Sequence, residues 1–266
     1  NLRELALGDL TQITTLDLSQ CTLLEFASIG GTQITSLTLA NHPNLTYLEL
    51  TNSSQLSQLE ISNSPNLATL VVSNCSALKT LDISAFTNLE VFYANSAGIT
   101  TLSGNSTCLD FSANKKLKDI RVNSLTSFSE INLTENTELE KLIYSSMPMT
   151  TVDLSNCVSL QNFQTSGASL TSLDFSNCPD MIRIIATNSS SLTSLNVNGC
   201  TKLMDVRLNS SNNITSVDLT NAGSEVELGA YLEGEYLVFL VTSGSTTEST
   251  IQNATGWDDS VMSITN

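Results

Sequence analysis

Any chemistry in this chain must start from few residues. The chain has 266 residues and a single histidine, His42. Two-histidine metal sites and histidine pairs are excluded, and a Ser-His-Asp triad would have only His42 to draw on. There are six cysteines: Cys21, Cys75, Cys108, Cys157, Cys178 and Cys200. None forms a C-x-x-C motif or clusters with a histidine, so no metal site is expected. Cys21, Cys157, Cys178 and Cys200 instead fall at one place in a repeating pattern, which elsewhere holds His42, Ser64, Asn114 or Asn136. That place suits a small group able to bond backbone, and a buried thiol serves. Parallel side chains in such a slot would strain a disulfide, so free thiols are expected. His42, as a slot filler, is read as structural rather than catalytic.

The aspartates are similarly spread. Asp17, Asp82, Asp110, Asp153, Asp174 and Asp218 each sit in an L-D-L-S-like motif, with Thr38, Glu60, Asn132 and Asn196 replacing Asp in other copies. One carboxylate per repeat lacks the clustered oxygens that Ca²⁺ wants. Ser or Thr two residues before the polar residue in most copies suggests turn bonding, so the row is read as structural. With no nucleophile–base pair, phosphate loop or metal motif, neither an enzyme nor a cofactor is expected.

Charge narrows the partners. There are 10 Lys+Arg against 26 Asp+Glu, a net charge of −16. Such a field opposes nucleic acid and anionic lipid surfaces alike. No apolar run of about 18 residues occurs, so no membrane insertion is expected, and no signal or anchor segment is visible.

The elements that position these residues are written in the repeat, an L-x-x-L pair recurring every 10 or 11 residues. Leu45/Leu48, Leu56/Leu59, Leu67/Leu70 and Leu78/Leu81 are successive copies, as are Leu139/Leu142, Met149/Val152, Leu160/Phe163 and Leu170/Leu173. Two kinds of step alternate, so the full period is 21 or 22 residues. Each L-x-L is a short strand with its flanking apolar residues inward. One strand cannot bury that face alone, so about ten turns must stack at about 4.8 Å.

These residues carry a resemblance. Leu45-Thr46-Tyr47-Leu48-Glu49-Leu50 followed by Leu56-Ser57-Gln58-Leu59-Glu60-Ile61-Ser62 resembles one repeat of bacterial leucine-rich repeat proteins of the internalin type, as do Leu139 to Ser155 and Leu192 to Leu208. The resemblance covers residues 1–222. It implies a β-rich solenoid with a parallel concave sheet, about ten repeats and little helix. Residues 223–266 are read as a small C-terminal β cap, with strands at Val226–Leu232 and Glu235–Thr242 and Trp257 beyond. The chain departs from the family where Ser, Ala or Met replaces the Asn that ends each concave strand. A right-handed β-helix of the pectin lyase kind is the competing fold.

Within the repeat, one row varies freely. The central residue of the second kind of strand runs Ala6, Ala27, Glu49, Val71, Tyr93, Arg121, Ile143, Gln164, Ile185, Arg207, with Tyr47, Lys141 and Arg183 among the outward residues beside it. The resemblance places this row on the concave face. Tyr47, Val71, Tyr93, Arg121, Lys141, Ile143, Gln164, Arg183, Ile185 and Arg207 are therefore the candidate ligand-binding strip, and aromatic and Arg residues are the types enriched at hot spots. Its basic groups suggest an anionic or mixed partner. The resemblance implies a secreted or cell-surface bacterial module recognising a protein or glycan on a host or neighbouring cell. The rivals are a non-binding structural spacer and a carbohydrate-active enzyme on a β-helix. Residues 103–108, Ser-Gly-Asn-Ser-Thr-Cys, interrupt the rhythm as a loop.

Overall fold

The structure is a computed structural model that describes residues 1–208, 210–211, 213–223, 237–240, 246–254 and 262–265. It falls into two compact units, Asn1–Asn136 and Thr137–Asn266. Both are made of the same turn, and the architecture is the expected β-rich leucine-rich repeat solenoid. Among the described residues the one helix is Thr246–Gln252, and no helix is long and apolar enough to cross a membrane.

In the first unit, long strands pair in parallel in chain order: Glu4–Leu7, Phe26–Gly30, Tyr47–Thr51, Thr69–Val71, Val91–Asn95 and Asp119–Asn123. Phe26, Tyr47, Thr69, Val91 and Asp119 are register partners along the sheet. Short strands on the opposite side pair as Ser36–Thr38 with Gln58–Glu60, Thr80–Leu81 with Thr101–Leu102, and Cys108–Asp110 with Glu130–Asn132. In the second unit the long strands are Lys141–Ser145, Asn162–Ser166, Arg183–Thr187, Asp205–Arg207, Leu237–Leu240 and Met262–Thr265. Its short strands are Ser172–Asp174, Ser194–Asn196 and Ser216–Asp218.

Alternation builds the core. Leu48, Leu70, Phe92 and Ile120 in the first unit, and Leu142, Phe163, Ile184 and Val206 in the second, are fully buried. So are the leucines three residues earlier, Leu45, Leu67, Leu89 and Leu117, and then Leu139, Leu160, Met181 and Leu203. Bulk is matched between turns: Phe92 meets Phe111 edge-on at 5.5 Å, and Phe163 meets Phe175 at 5.2 Å.

Among the described residues, the long strands from Glu4–Leu7 to Asp205–Arg207 are each left through a left-handed residue. These are Asp9, Gly31, Asn52, Asn74, Ser96 and Ser124 in the first unit and Ser146, Gly167, Asn188 and Ser210 in the second, with φ between 51° and 66°. Gly and Asn tolerate this region and Ser does so less well. Ser96, Ser124 and Ser146 hold the same backbone as Asn52, Asn74 and Asn188, and the Asn of the family's repeat would fall one residue later, where Ser53, Ala97 and Met147 are buried. Where the left-handed residue is Asn it also ties turns: Asn74 Nδ2 donates to Asn52 Oδ1 at 2.9 Å.

In the second repeat the L-x-x-L spacing reads as Leu23/Phe26, with Glu25 and Ala27 outward, but the inward pair is Leu24/Ala27: Leu24 and Ala27 are fully buried while Leu23 is 40% exposed. A one-residue slip flips every side chain, so Phe26 and Ser28, not Glu25 and Ala27, lie on the outer face. Toward the C-terminus, Leu237–Leu240 and Met262–Thr265 join the long-strand sheet in parallel, with the helix between them. The strand expected at Val226–Leu232, and Trp257, lie outside the described residues. The interruption at 103–108 is a tight reversal. Leu102 and Asn105 exchange backbone bonds of 2.9 Å around Ser103 and Gly104, both with positive φ.

Leu142→Ala should lower stability by about 2–5 kcal/mol, because a fully buried side chain leaves a cavity that stacked neighbours cannot close. Ser146→Gly should raise it by about 0.5 kcal/mol, because glycine relieves a left-handed φ of 54°. Urea midpoints check both; an unchanged midpoint for Leu142→Ala would overturn the inward register.

Candidate functional site

The long-strand face presents its first and third residues outward in each turn. In the first unit this aligns Tyr47 with Thr69, Val91 and Asp119, and Glu49 with Val71, Tyr93 and Arg121. In the second it aligns Lys141 with Asn162, Arg183 and Asp205, and Ile143 with Gln164, Ile185 and Arg207. Tyr47, Val71, Tyr93 and Arg121 thus come together in one unit, and Lys141, Ile143, Gln164, Arg183, Ile185 and Arg207 in the other. Val71 is recessed, only 8% exposed.

Phe26 belongs with them. Its ring stacks on Tyr47 with centroids 4.5 Å apart and planes 12° apart. The sequence reading lost it through the slip in the second repeat; the apolar Ile29 two places after Ala27 was the available signal. Tyr47 donates to Glu49 Oε2 at 3.1 Å, and Ser28 donates to the same oxygen at 3.1 Å. Tyr93 donates to Asp119 Oδ2 at 2.9 Å. Partial burial and this bond push the Tyr93 hydroxyl up to about 12.

The arginines of the face are not free cations. Arg121 grips Asp119 through Nε at 3.0 Å and Nη2 at 2.7 Å, and its guanidinium lies 4.5 Å from the Tyr93 ring centre. Arg183 Nε donates to Asp205 Oδ2 at 2.9 Å, and Arg207 Nε donates to Asp205 Oδ1 at 3.0 Å. The bond to Asp119 holds the Arg121 proton more firmly than usual, and that to Asp205 does the same for Arg207. Asp119 and Asp205 stand on the same strip, one column over, so the local positive field expected from the basic residues alone is largely cancelled.

The repeated slot holds buried donors that reach back one turn. His42 Nε2 lies 3.1 Å from Leu18 O and its Nδ1 3.1 Å from Ala40 O. Asn114 Nδ2 donates to Ile83 O at 2.9 Å and Phe86 O at 3.0 Å. Cys200 Sγ donates to Phe175 O at 3.3 Å, and Cys178 Sγ to Leu154 O at 3.9 Å. Cys75 plays the same part behind the long strands, donating to Leu50 O at 3.3 Å. All six thiols are free. Burial pushes the Cys75 thiol up to about 11 and those of Cys157 and Cys200 up to about 12, and it raises Cys178 further. Such thiols are inert donors rather than nucleophiles.

The aspartate row closes its own turns. Asp153 Oδ1 accepts from the Ser155 N–H at 2.9 Å, Asp174 from Ser176 at 2.9 Å, and Asp82 from both the N–H and hydroxyl of Ser84. Asn132 and Asn196 make the same bond to Thr134 and Asn198. Bonds from the serine two residues on hold the Asp17, Asp82 and Asp153 carboxyls below their usual value, as Thr220 does for Asp218. Among the described residues no group of three or more His, Cys, Asp and Glu is placed to hold a metal ion.

Comparison by sequence finds no matching family profile and no matching curated protein. Comparison of structures finds the functional domain of InlJ from Listeria monocytogenes, a domain that includes a cysteine ladder, at 23% identity and a TM-score of 0.67. The fold is shared. The match covers 91% of this chain and 50% of that one, so this chain spans about half the length of the InlJ domain. An internalin, InlF, from the same organism matches at 14% identity and a TM-score of 0.38, covering 83% of this chain and 87% of that one. A TLR13–ssRNA13 complex matches at 14% and 0.49, covering 90% and 46%. Scores this low carry no argument about this chain.

Two measurements check the slot and the aspartate row. Without reductant, a thiol reagent at pH 8 should label half-buried Cys21 and Cys108 in the native chain and the other four only after unfolding; a need for reductant would overturn the free-thiol assignment. Asp153→Ala should cost under about 1 kcal/mol, since the group is well solvated. The lowered carboxyl stabilises the fold above about pH 4 and loses that contribution as pH falls through its native value. The penalty of Asp153→Ala in acid–urea titrations should therefore shrink as pH falls through the native value of the carboxyl, whereas Asp153→Asn, which keeps the acceptor, should cost less than Asp153→Ala at neutral pH.

Proposed function

We propose that the chain is a recognition module of a secreted or surface-exposed bacterial protein, and that it binds a protein or glycan partner through the outer residues of its long strands. One observation carries this reading. The inward rows and the aspartate row repeat almost unchanged from turn to turn, whereas the outer long-strand rows change in size, charge and polarity at every turn. A face under only structural demand would repeat like the others. Half-buried aromatic and Arg side chains held rigid by neighbours, as at Phe26–Tyr47 and Tyr93–Arg121, lose little entropy on binding. The net charge of −16 argues against nucleic acid as the partner. The spacer reading draws its support from the Asp119 and Asp205 pairs, which saturate three arginines of the face internally.

The test is to probe a glycan array and an array of cell-surface ectodomains with the labelled chain. Any partner found is then titrated with Tyr93→Ala/Arg121→Ala for the first unit and Ile143→Glu/Ile185→Glu for the second. One of these pairs should weaken binding at least tenfold, the loss of a hot-spot residue, while Asp153→Asn binds as wild type. No partner on either array, or equal binding by all variants, would leave the chain a spacer.

A further inference from the structure

The long-strand face of the first unit contains a notch whose walls and floor are all placed by the register. Tyr47 is covered on one side by Phe26 at a ring separation of 4.5 Å, close to the spacing of adjacent strands. The two rings therefore stand side by side along the sheet, and the other face of Tyr47 is turned toward the next strand, Thr69–Val71. Two strands on, Tyr93 is covered by the Arg121 guanidinium from the following strand. Its free face is turned back toward Thr69–Val71. The residues between are short: Thr69 is half-buried and Val71 is recessed below its neighbours. The two aromatic walls are offset by two residues along the strands: Tyr47 faces Val91 across Thr69, and Tyr93 faces Glu49 across Val71, each pair two strands and about 10 Å apart, which is room for one side chain.

The charge in the notch is one-sided. Glu49 stands beside Val71 in register, and its Oε2 accepts from the Tyr47 and Ser28 hydroxyls. These are neutral donors. Among the described residues no cation pairs with Glu49, whereas Asp119, Glu25 and Glu90 on the same unit all have one. Ser28 and Tyr47 fix the carboxylate in place without discharging it, and its other oxygen remains to accept. The surrounding chain carries a charge of −16, which raises the local concentration of basic molecules.

We infer that this notch takes the side chain of a lysine or arginine from a basic protein partner, its aliphatic stem between the faces of Tyr47 and Tyr93 over Val71 and its charge on Glu49. Aromatic faces attract cations, and a carboxylate already held by hydrogen bonds needs no reordering to receive one. The inference rests on the reading of the long-strand face as a recognition surface and adds the chemistry of its partner. It reverses the expectation of an anionic partner: the arginines of the face are already paired, and the unpaired charges on the long strands of its first unit, Glu49 among them, are anions.

The test uses the whole chain and four defined probes: fluorescent ten-residue peptides alternating Ser with Lys, Ser with Arg, or Ser with Glu, and neutral chito-oligosaccharides. The Lys or Arg peptide should bind, more weakly as salt rises, and should shift the Val71 methyl resonances in NMR spectra of the chain. Glu49→Gln and Tyr47→Ala should each weaken it at least tenfold. Glu60→Gln, on the opposite side of the same unit, should leave it unchanged; circular dichroism and the urea midpoint confirm that the variants are folded. Equal weakening by Glu49→Gln and Glu60→Gln, or no shift at Val71, would reduce the binding to the general field of an acidic chain and overturn the notch. Failure of every probe would overturn it too, whereas the arrays would still decide whether the face recognises anything. Chito-oligosaccharide binding that is lost in Tyr93→Ala would keep the recognition face and discard the cationic side chain.

Discussion

Buried donors that reach back to a backbone carbonyl hold one turn to the one before it. Several of the carbonyls they reach, Leu18, Ile83, Phe111, Leu154 and Phe175 O, already accept the N–H three residues on within their own turn. A carbonyl oxygen has two lone pairs, and the donor from the next turn takes the second, so the bond ties turn to turn. His42, Asn114, Asn136, Cys178 and Cys200 donate in this way from one slot, and Cys75 and Ser211 do so from the equivalent place behind the long strands. The chemical variety is informative. An amide satisfies two carbonyls, as Asn114 and Asn136 do, and a thiol satisfies one at longer range. What unites the set is a compact side chain with a hydrogen to give. The lone histidine and four of the six cysteines take their meaning from this constraint or from burial beside it, rather than from reactivity.

The same stacking frees the outer face. Once inward leucines, slot donors, aspartate turns and left-handed corners have met the needs of the fold, the first and third residues of each long strand carry no structural duty. They have used that freedom in organised pairs. Tyr93, Asp119 and Arg121 form one cluster across two adjacent strands, and Arg183, Asp205 and Arg207 form another. Groups held by such mutual bonds keep fixed positions, which suits a recognition surface, but they also spend their charge on each other. Glu49, like Glu4 at the start of the sheet, is left unspent.

Much of this was legible in the residues alone. The L-x-x-L period needs no tertiary information, because a segment of three apolar-flanked residues can be buried only by its own copies. The slot was legible for the same reason: His42, Ser64, Asn114 and Cys157 have nothing in common except size and a polar hydrogen, so recurrence at one place pointed to backbone bonding. The L-D-L-S row was recognisable as turn chemistry because Asp followed two residues later by Ser is a local bond that depends on little else.

Tertiary structure decided what depends on neighbours 21 or 22 residues away. The second repeat offers two adjacent leucines, Leu23 and Leu24, and the local pattern cannot choose between them. Only stacking on the turns at either side selects Leu24, buries Ala27 and turns Phe26 out to meet Tyr47. The sign of the outer face was hidden likewise. Arg121, Arg183 and Arg207 are four or five bonds long and flexible, so their charge goes wherever the nearest carboxylate lies, and register alone places Asp119 and Asp205 there. The sequence by itself therefore determined the fold and the division of labour among its rows, because those follow from periodicity and local bonds. The site was decided by contacts between turns, because whether a charge is free or paired is a property of the assembled face.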